Sequence, residues 1–154
     1  NTLVPWQQEM EVCQAYLRIE QQRLGDRLVV DWQMGDVPAD FQLPPLILQP
    51  LIENAIYHGI ESHPEGGVIK IQCECTEDML CINVKNPLPL VVGDEAVRSA
   101  GRNSSHNGIA LDNIRARLAA IYKDHALVSR QARLELITIE DQFVASLIIP
   151  YRLA

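Results

Sequence analysis

Leu43-Pro44-Pro45-Leu46-Ile47-Leu48-Gln49-Pro50-Leu51-Ile52-Glu53-Asn54-Ala55-Ile56-Tyr57-His58-Gly59-Ile60 decides how the chain folds, because its few polar residues recur at helical spacing within an apolar run. Glu53, Asn54, Tyr57 and His58 stand at i, i+1, i+4 and i+5. At about 3.6 residues per turn this places them side by side on one face of a helix. Leu48, Leu51, Ile52 and Ala55 take the opposite face, as packing on a core requires. An ordinary solvated face carries long charged side chains, yet no Lys or Arg occurs between Leu43 and Ile60. An acid, an amide and an imidazole grouped in this way can orient a proton, ligate a hard cation such as Mg²⁺ and contact phosphate or base. Pro50 lies on the same stripe and is expected to remove a helical hydrogen bond and bend the helix.

On the N-terminal side, Pro5 to about Leu24 reads as a helix with Pro in its first turn and Val12, Tyr16, Ile19 and Arg23 at helical spacing, ended by Gly25. Arg27 to Gln33 alternates as a strand with Leu28, Val30 and Trp32 on one side. A loop with Gly35 and Pro38 then leads into the central helix. Beyond it, His63-Pro64-Glu65-Gly66-Gly67 is a turn. Val68 to Cys75 and Leu80 to Lys85 form a hairpin through Thr76-Glu77-Asp78-Met79. From Asn86 to Asn107 periodicity fades, and a loop of that length predicts a mobile cover over a site, with a short helix near Asp94 to Ser99. Gly108 opens a second helix in which Leu111, Ile114, Leu118 and Ile121 keep the apolar spacing to about Tyr122. Strands near Leu134 to Ile139 and Phe143 to Ile149 close the chain. The expected fold class is α/β, a two-layer sandwich with a mixed sheet of about five strands covered on one face by about three helices.

The 154 residues, 47% of them hydrophobic, suit one domain with a proper core. A net charge of −7 argues against sequence-independent binding of nucleic acid, which relies on clustered Lys and Arg. There is no apolar run long enough to span a bilayer and no signal-peptide pattern. The chain therefore reads as a soluble piece and, lacking an initiating Met, as part of a longer protein. Alternation puts Cys73 and Cys75 on one face with Ile69 and Ile71, and Cys81 on the other. These spacings favour reduced thiols in a cytoplasmic sheet over a zinc cluster. Neither G-x-x-x-x-G-K-[ST] nor G-x-G-x-x-G occurs, so a nucleotide site must be of another design.

Leu46 to Ile60, with Gln49, Glu53-Asn54-Ala55 and His58-Gly59, resembles the N box of the LytS-like sensor histidine kinases of the GHKL superfamily. Gly108-Ile109-Ala110-Leu111-Asp112-Asn113-Ile114-Arg115-Ala116-Arg117-Leu118 resembles that family's second glycine box, about fifty residues on. Val4 to Leu17 and Arg23 to Leu28 look like the segment that succeeds its phosphoacceptor helix. The resemblance implies a Bergerat-type ATP-binding catalytic domain at 26–154, preceded by a helix at 1–25 that continues from a phosphoacceptor region outside this sequence. It further implies transfer of the ATP γ-phosphoryl to a histidine on that region, in the same protein or its dimer mate. Asn54 would ligate Mg²⁺, Glu53 would orient or deprotonate the nucleophile, and His58 would line the nucleotide pocket. Asn86 would accept from the adenine amino group, and Asn107, Gly108, Ile109 and Leu111 would surround the phosphates, with Arg98, Arg102 and Arg115 as further phosphate contacts. The implied partner is a response regulator of LytTR type, and the implied setting is the cytoplasmic part of an inner-membrane sensor that is a homodimer at full length.

The first glycine box of that family reads D-x-G-x-G, whereas this chain has Asn86-Pro87-Leu88-Pro89-Leu90, which keeps an acceptor oxygen but not the charge. His106 and Ala110 stand where the second box usually has glycines, so the pocket floor and lid hinge are expected to differ. Two other readings keep the same fold. One is a non-catalytic dimerisation or docking module. The other is an ATPase or anti-sigma-type serine kinase in which Glu53 polarises water or a hydroxyl.

Overall fold

The computed structural model describes residues 3–76, 79–89, 111–122 and 132–151. Its order is β1 (Val4–Pro5), α1 (Trp6–Leu24), β2 (Leu28–Met34), β3 (Gln42–Leu43), α2 (Leu48–Ile56), β4 (Gly67–Cys75), β5 (Met79–Pro87), α3 (111–122), β6 (Arg133–Ile139) and β7 (Gln142–Pro150). Five strands form one mixed sheet in the order β2-β4-β5-β7-β6, parallel between β2 and β4 and antiparallel elsewhere. Ile71, Ile82 and Leu147 lie close together across its centre and are fully buried, while Lys70, Gln72, Asn83 and Lys85 alternate to the other face. The three helices feed the same core as the apolar face: Leu17 from α1, Ile52 from α2 and Leu118 from α3 are all buried in it. The expected two-layer sandwich is therefore the architecture. No helix among the described residues is long and apolar enough to cross a membrane.

Some local details differ from the expectations or add to them. Of the stripe Val12, Tyr16, Ile19, Arg23 in α1, Ile19 is 64% exposed and Tyr16 flanks the core, which is met by Trp6, Met10, Cys13 and Leu17. Both sets have helical spacing, but the second contains the larger apolar bodies and wins the sheet. Pro50 does not bend α2, because the helix begins at Leu48 and Pro50 falls in the first turn, whose N–H groups have no intrahelical partner to lose. The helix also stops being regular at Ile56 and passes into a π-helical turn, Tyr57–Glu61. The small antiparallel pair β1–β3, Val4 with Leu43 and Pro5 with Gln42, has too few residues to show an alternation and was not expected. The short helix expected near Asp94 to Ser99 and the loop cover lie outside the described residues.

Gly66 closes the turn that feeds β4 with φ of 80°. A Cβ there would lie 2.0 Å from the carbonyl oxygen of Arg27, at the parallel junction of Leu28 with Gly67. Only glycine lets the two backbones approach so closely.

Candidate functional site

The site is built on α2 and the turn after it. Leu48, Leu51, Ile52, Ala55 and Ile56 are buried, which turns Glu53 and Asn54 towards the two borders of the buried face. The four polar residues do not share one wet stripe. Asn54 is 5% exposed whereas Tyr57 is 42% exposed: Tyr57, whose N–H bonds to the Glu53 carbonyl, lies above the exposed Glu53, while Asn54 stands about 100° further round the helix at the edge of the buried face. The Oδ1 atom of Asn54 is buried with no hydrogen-bond partner among the described residues. Leaving a buried amide oxygen unpaired costs about 1–3 kcal/mol, and this atom is one for which the described residues supply no partner.

Glu53 is exposed, and one of its oxygens accepts from Gln49 Nε2 at 2.9 Å, an i, i+4 pair that holds the carboxylate along the helix. It stands on the α1 side. Burial pushes the Cys13 thiol up to about 12, and the charges of Glu9 and then Glu53 add to that rise. Tyr16 is likewise raised, first by burial, then by Glu20, with Glu53 contributing. Cys13 is therefore an inert core thiol near neutral pH. His58 is half-buried, its ring edge-on to Tyr57 with centroids 5.3 Å apart, and its carbonyl accepts from Ser62 Oγ.

Asn86 ends the buried face of β5. It is 1% exposed, and its Nδ2 donates to the Pro87 carbonyl at 2.7 Å. It backs directly onto Gly59 of the π turn, where an added Cβ would stand 2.6 Å from the Asn86 Cβ and 3.0 Å from its Nδ2. The structure thus brings Asn86 against the end of the helix that carries Asn54. Gly59→Ala is expected to push Asn86 out of place and cost about 1–3 kcal/mol by overpacking, checked as a lowered midpoint in urea unfolding at unchanged slope.

Leu111 opens the described part of α3 and is buried. Arg117 of α3 donates to the carbonyls of Leu46 (3.1 Å) and Pro45, so α3 lies against the entrance of α2. Arg115 donates through Nε and Nη2 to the Leu134 carbonyl on β6, which occupies the guanidinium expected to face phosphate. Asn107, Gly108, Ile109, Arg98 and Arg102 lie outside the described residues. Sequence reasoning missed Glu9, which is 2% exposed and accepts from the backbone N–H groups of Leu46, Ile47 and Leu48, each at 2.9 Å. It also missed Arg27, which donates to the Ile60 and His63 carbonyls at the far end of the same helix. The one available signal was Glu9 falling in phase with the core residues Trp6, Met10 and Cys13. All four cysteines are free thiols, and no group of His, Cys, Asp and Glu that could hold a metal ion occurs among the described residues.

No protein-family model matches the chain. Sensor protein LytS of Oceanobacillus iheyensis is 30% identical to it over 159 residues, covering 99% of this chain and 26% of that protein. The chain spans about a quarter of the length of such curated relatives. Among solved structures, the nucleotide-free catalytic domain of histidine kinase ThkA matches 97% of this chain and 96% of its own, with a TM-score of 0.64 and 16% identity. ThkA in complex with the response regulator protein TrrA matches 99% of this chain and 42% of its own, with a TM-score of 0.57 and 13% identity. At such identities the structural likeness establishes the fold, which is that of histidine kinase catalytic domains.

Proposed function

The chain belongs to the LytS-like sensor histidine kinase family, and from that premise we infer that it binds Mg²⁺–ATP and presents the γ-phosphoryl for transfer to a histidine elsewhere in the protein or its dimer mate. The observation that carries this reading is the buried Oδ1 of Asn54, without a hydrogen-bond partner among the described residues. A neutral amide oxygen is a suitable ligand for a hard cation such as Mg²⁺, and a metal–phosphate complex would satisfy an atom that the described residues leave unsatisfied. Bound Mg²⁺ would supply charge neutralisation on the phosphates, the chief demand of phosphoryl transfer.

The chain's own residues would do the rest. Glu53, held by Gln49 on the α1 side, orients or takes the proton of the incoming nucleophile. Asn86 engages Nδ2 with the Pro87 carbonyl, which leaves its Oδ1 as the end suited to accept from an adenine amino group. His58, at the π turn, lines the nucleotide, and Asn107, Gly108, Ile109 and Leu111 offer backbone N–H groups and cover to the phosphates. In the whole protein, residues 1–25 continue from the phosphoacceptor region and 26–154 form the catalytic domain, cytoplasmic within an inner-membrane sensor. A response regulator, of LytTR type, receives the phosphoryl group.

The experiment is thermal unfolding with ATP and Mg²⁺, against ATP with a chelator. At ligand one hundred times its Kd the domain is stabilised by about 2.7 kcal/mol, which for a domain of this size raises Tm by roughly 5–10 °C. Absence of any rise at millimolar Mg²⁺–ATP overturns the reading in favour of a non-catalytic docking module.

A further inference from the structure

The entrance to α2 is held from two sides by charged groups that the proposed function leaves without a role. Glu9 of α1 is buried, and its carboxylate accepts from the N–H groups of Leu46, Ile47 and Leu48. The N–H groups of Ile47, the N-cap, and Leu48 are donors that the start of a helix leaves unpaired, at the end where the helix dipole favours negative charge, and that of Leu46 immediately precedes them. Arg117 of α3 takes the other side of the same turn, donating to the carbonyls of Pro45 and Leu46. Leu46 itself has φ of 54°, a left-handed conformation that leucine rarely adopts, and its side chain is 54% exposed. No packing of that side chain explains the conformation. The two charged grips do, since they bind the N–H and the C=O of the strained residue at once.

We propose that Glu9 and Arg117 are positioning residues for magnesium-bound nucleotide: by clamping the Leu46 turn they fix the height and rotation of α2, and with it the Asn54 oxygen, relative to α1 and α3. At its other end α2 is held by Arg27, which donates to the Ile60 and His63 carbonyls from just beyond α1. The Asn54 helix is therefore gripped at both ends from the α1 side and cannot slide along α1 without breaking charged hydrogen bonds. A misplacement of about 1 Å is enough to cost about 100-fold where geometry decides the chemistry. The clamp rests on the reading of Asn54 as a metal-ligating residue and adds to it how that residue is held.

The test is calorimetric titration of the chain with ATP, in Mg²⁺ and in chelator, well below the unfolding temperature, for wild type, Glu9→Gln, Arg117→Gln, Asn54→Ala and the double variant Glu9→Gln/Asn54→Ala. Glutamine keeps the shape of Glu9 but replaces one accepting oxygen with a donor that faces the same N–H groups. The expected result is a loss of about tenfold or more in affinity with Mg²⁺ for each clamp variant, and a change under threefold in chelator. In the Asn54→Ala background, Glu9→Gln is expected to change affinity by less than twofold, because its effect passes through Asn54. A purely structural role would lower Tm and leave both affinities unchanged, which overturns the proposal. If Glu9→Gln fails to fold, Arg117→Gln decides by the same criterion. Wild-type protein that does not bind Mg²⁺–ATP refutes the nucleotide reading itself. Binding by wild type with unchanged affinity in the clamp variants refutes only the clamp.

Discussion

Asn54→Ala is expected to weaken nucleotide binding in Mg²⁺ about 100-fold and to leave the unliganded domain as stable as before, or more so. The two halves of this expectation have one cause. The Asn54 Oδ1 atom is buried and has no partner among the described residues, so its removal is expected to free the unliganded protein from a desolvation cost of about 1–3 kcal/mol, offset by the small cavity left behind. Most substitutions at a residue 5% exposed would destabilise, which makes a neutral or raised Tm a sharp signature. In the presence of Mg²⁺ the same change deletes a metal ligand, and affinity for ATP falls by about 100-fold, or about 2.7 kcal/mol. Calorimetry of nucleotide binding together with a melt of the unliganded variant checks both halves. A variant that binds Mg²⁺–ATP as tightly as wild type contradicts the assignment. A variant that merely unfolds shows Asn54 to be a structural residue.

Gly66→Ala is expected to have the largest effect on stability. Its Cβ would fall 2.0 Å from the Arg27 carbonyl oxygen and 2.4 Å from the Arg27 Cα, and both atoms are backbone that cannot swing aside. The positive φ adds a second cost, since alanine loses there what glycine tolerates freely. Relief requires β2 and β4 to part at their first parallel pair, Leu28 with Gly67, which also pulls the Arg27 guanidinium from the Ile60 and His63 carbonyls behind α2. The loss is about 3 kcal/mol or more, beyond the range of ordinary overpacking. Urea unfolding of wild type and variant measures it, and a midpoint shift equivalent to less than about 1 kcal/mol would show that the junction yields.

The sheet was legible because its code is local. Ile69 and Ile71 alternate with Val68 and Lys70, and Leu80, Ile82 and Val84 do the same, so each strand announces which residues face the core. The edge strand β6, expected near Leu134 to Ile139, reads less clearly: Leu134 is buried and Leu136 half-buried, but Ile137 and Ile139 are exposed. The faces of α1 were not legible in this way, since Val12, Tyr16 and Ile19 keep helical spacing as well as Met10, Cys13 and Leu17 do, and only the volume available under the sheet selects between them. The candidate site divides along the same line. Glu53, Asn54 and His58 stand out by residue type and spacing, but which edge of their stripe is buried, Asn54 rather than Tyr57, is set by what packs against α2, and the π turn after Ile56 is not predicted by a period of 3.6. Glu9 and Arg117 meet the Leu46 turn from 37 and 71 positions away, contacts that only tertiary structure creates.

The order of strands in space differs from their order of synthesis. β5 lies at the centre of the sheet between β4 and β7, yet β7 begins about fifty residues after β5 ends. At about 5–20 residues per second, a ribosome needs several seconds to supply it. Until then the β4–β5 hairpin shows Ile82 and Val84 on a half-built sheet with one ladder of hydrogen bonds unmade. The nascent chain therefore passes through a sticky interval, one in which a chaperone can hold it and in which two copies emerging from one polysome can pair by mistake.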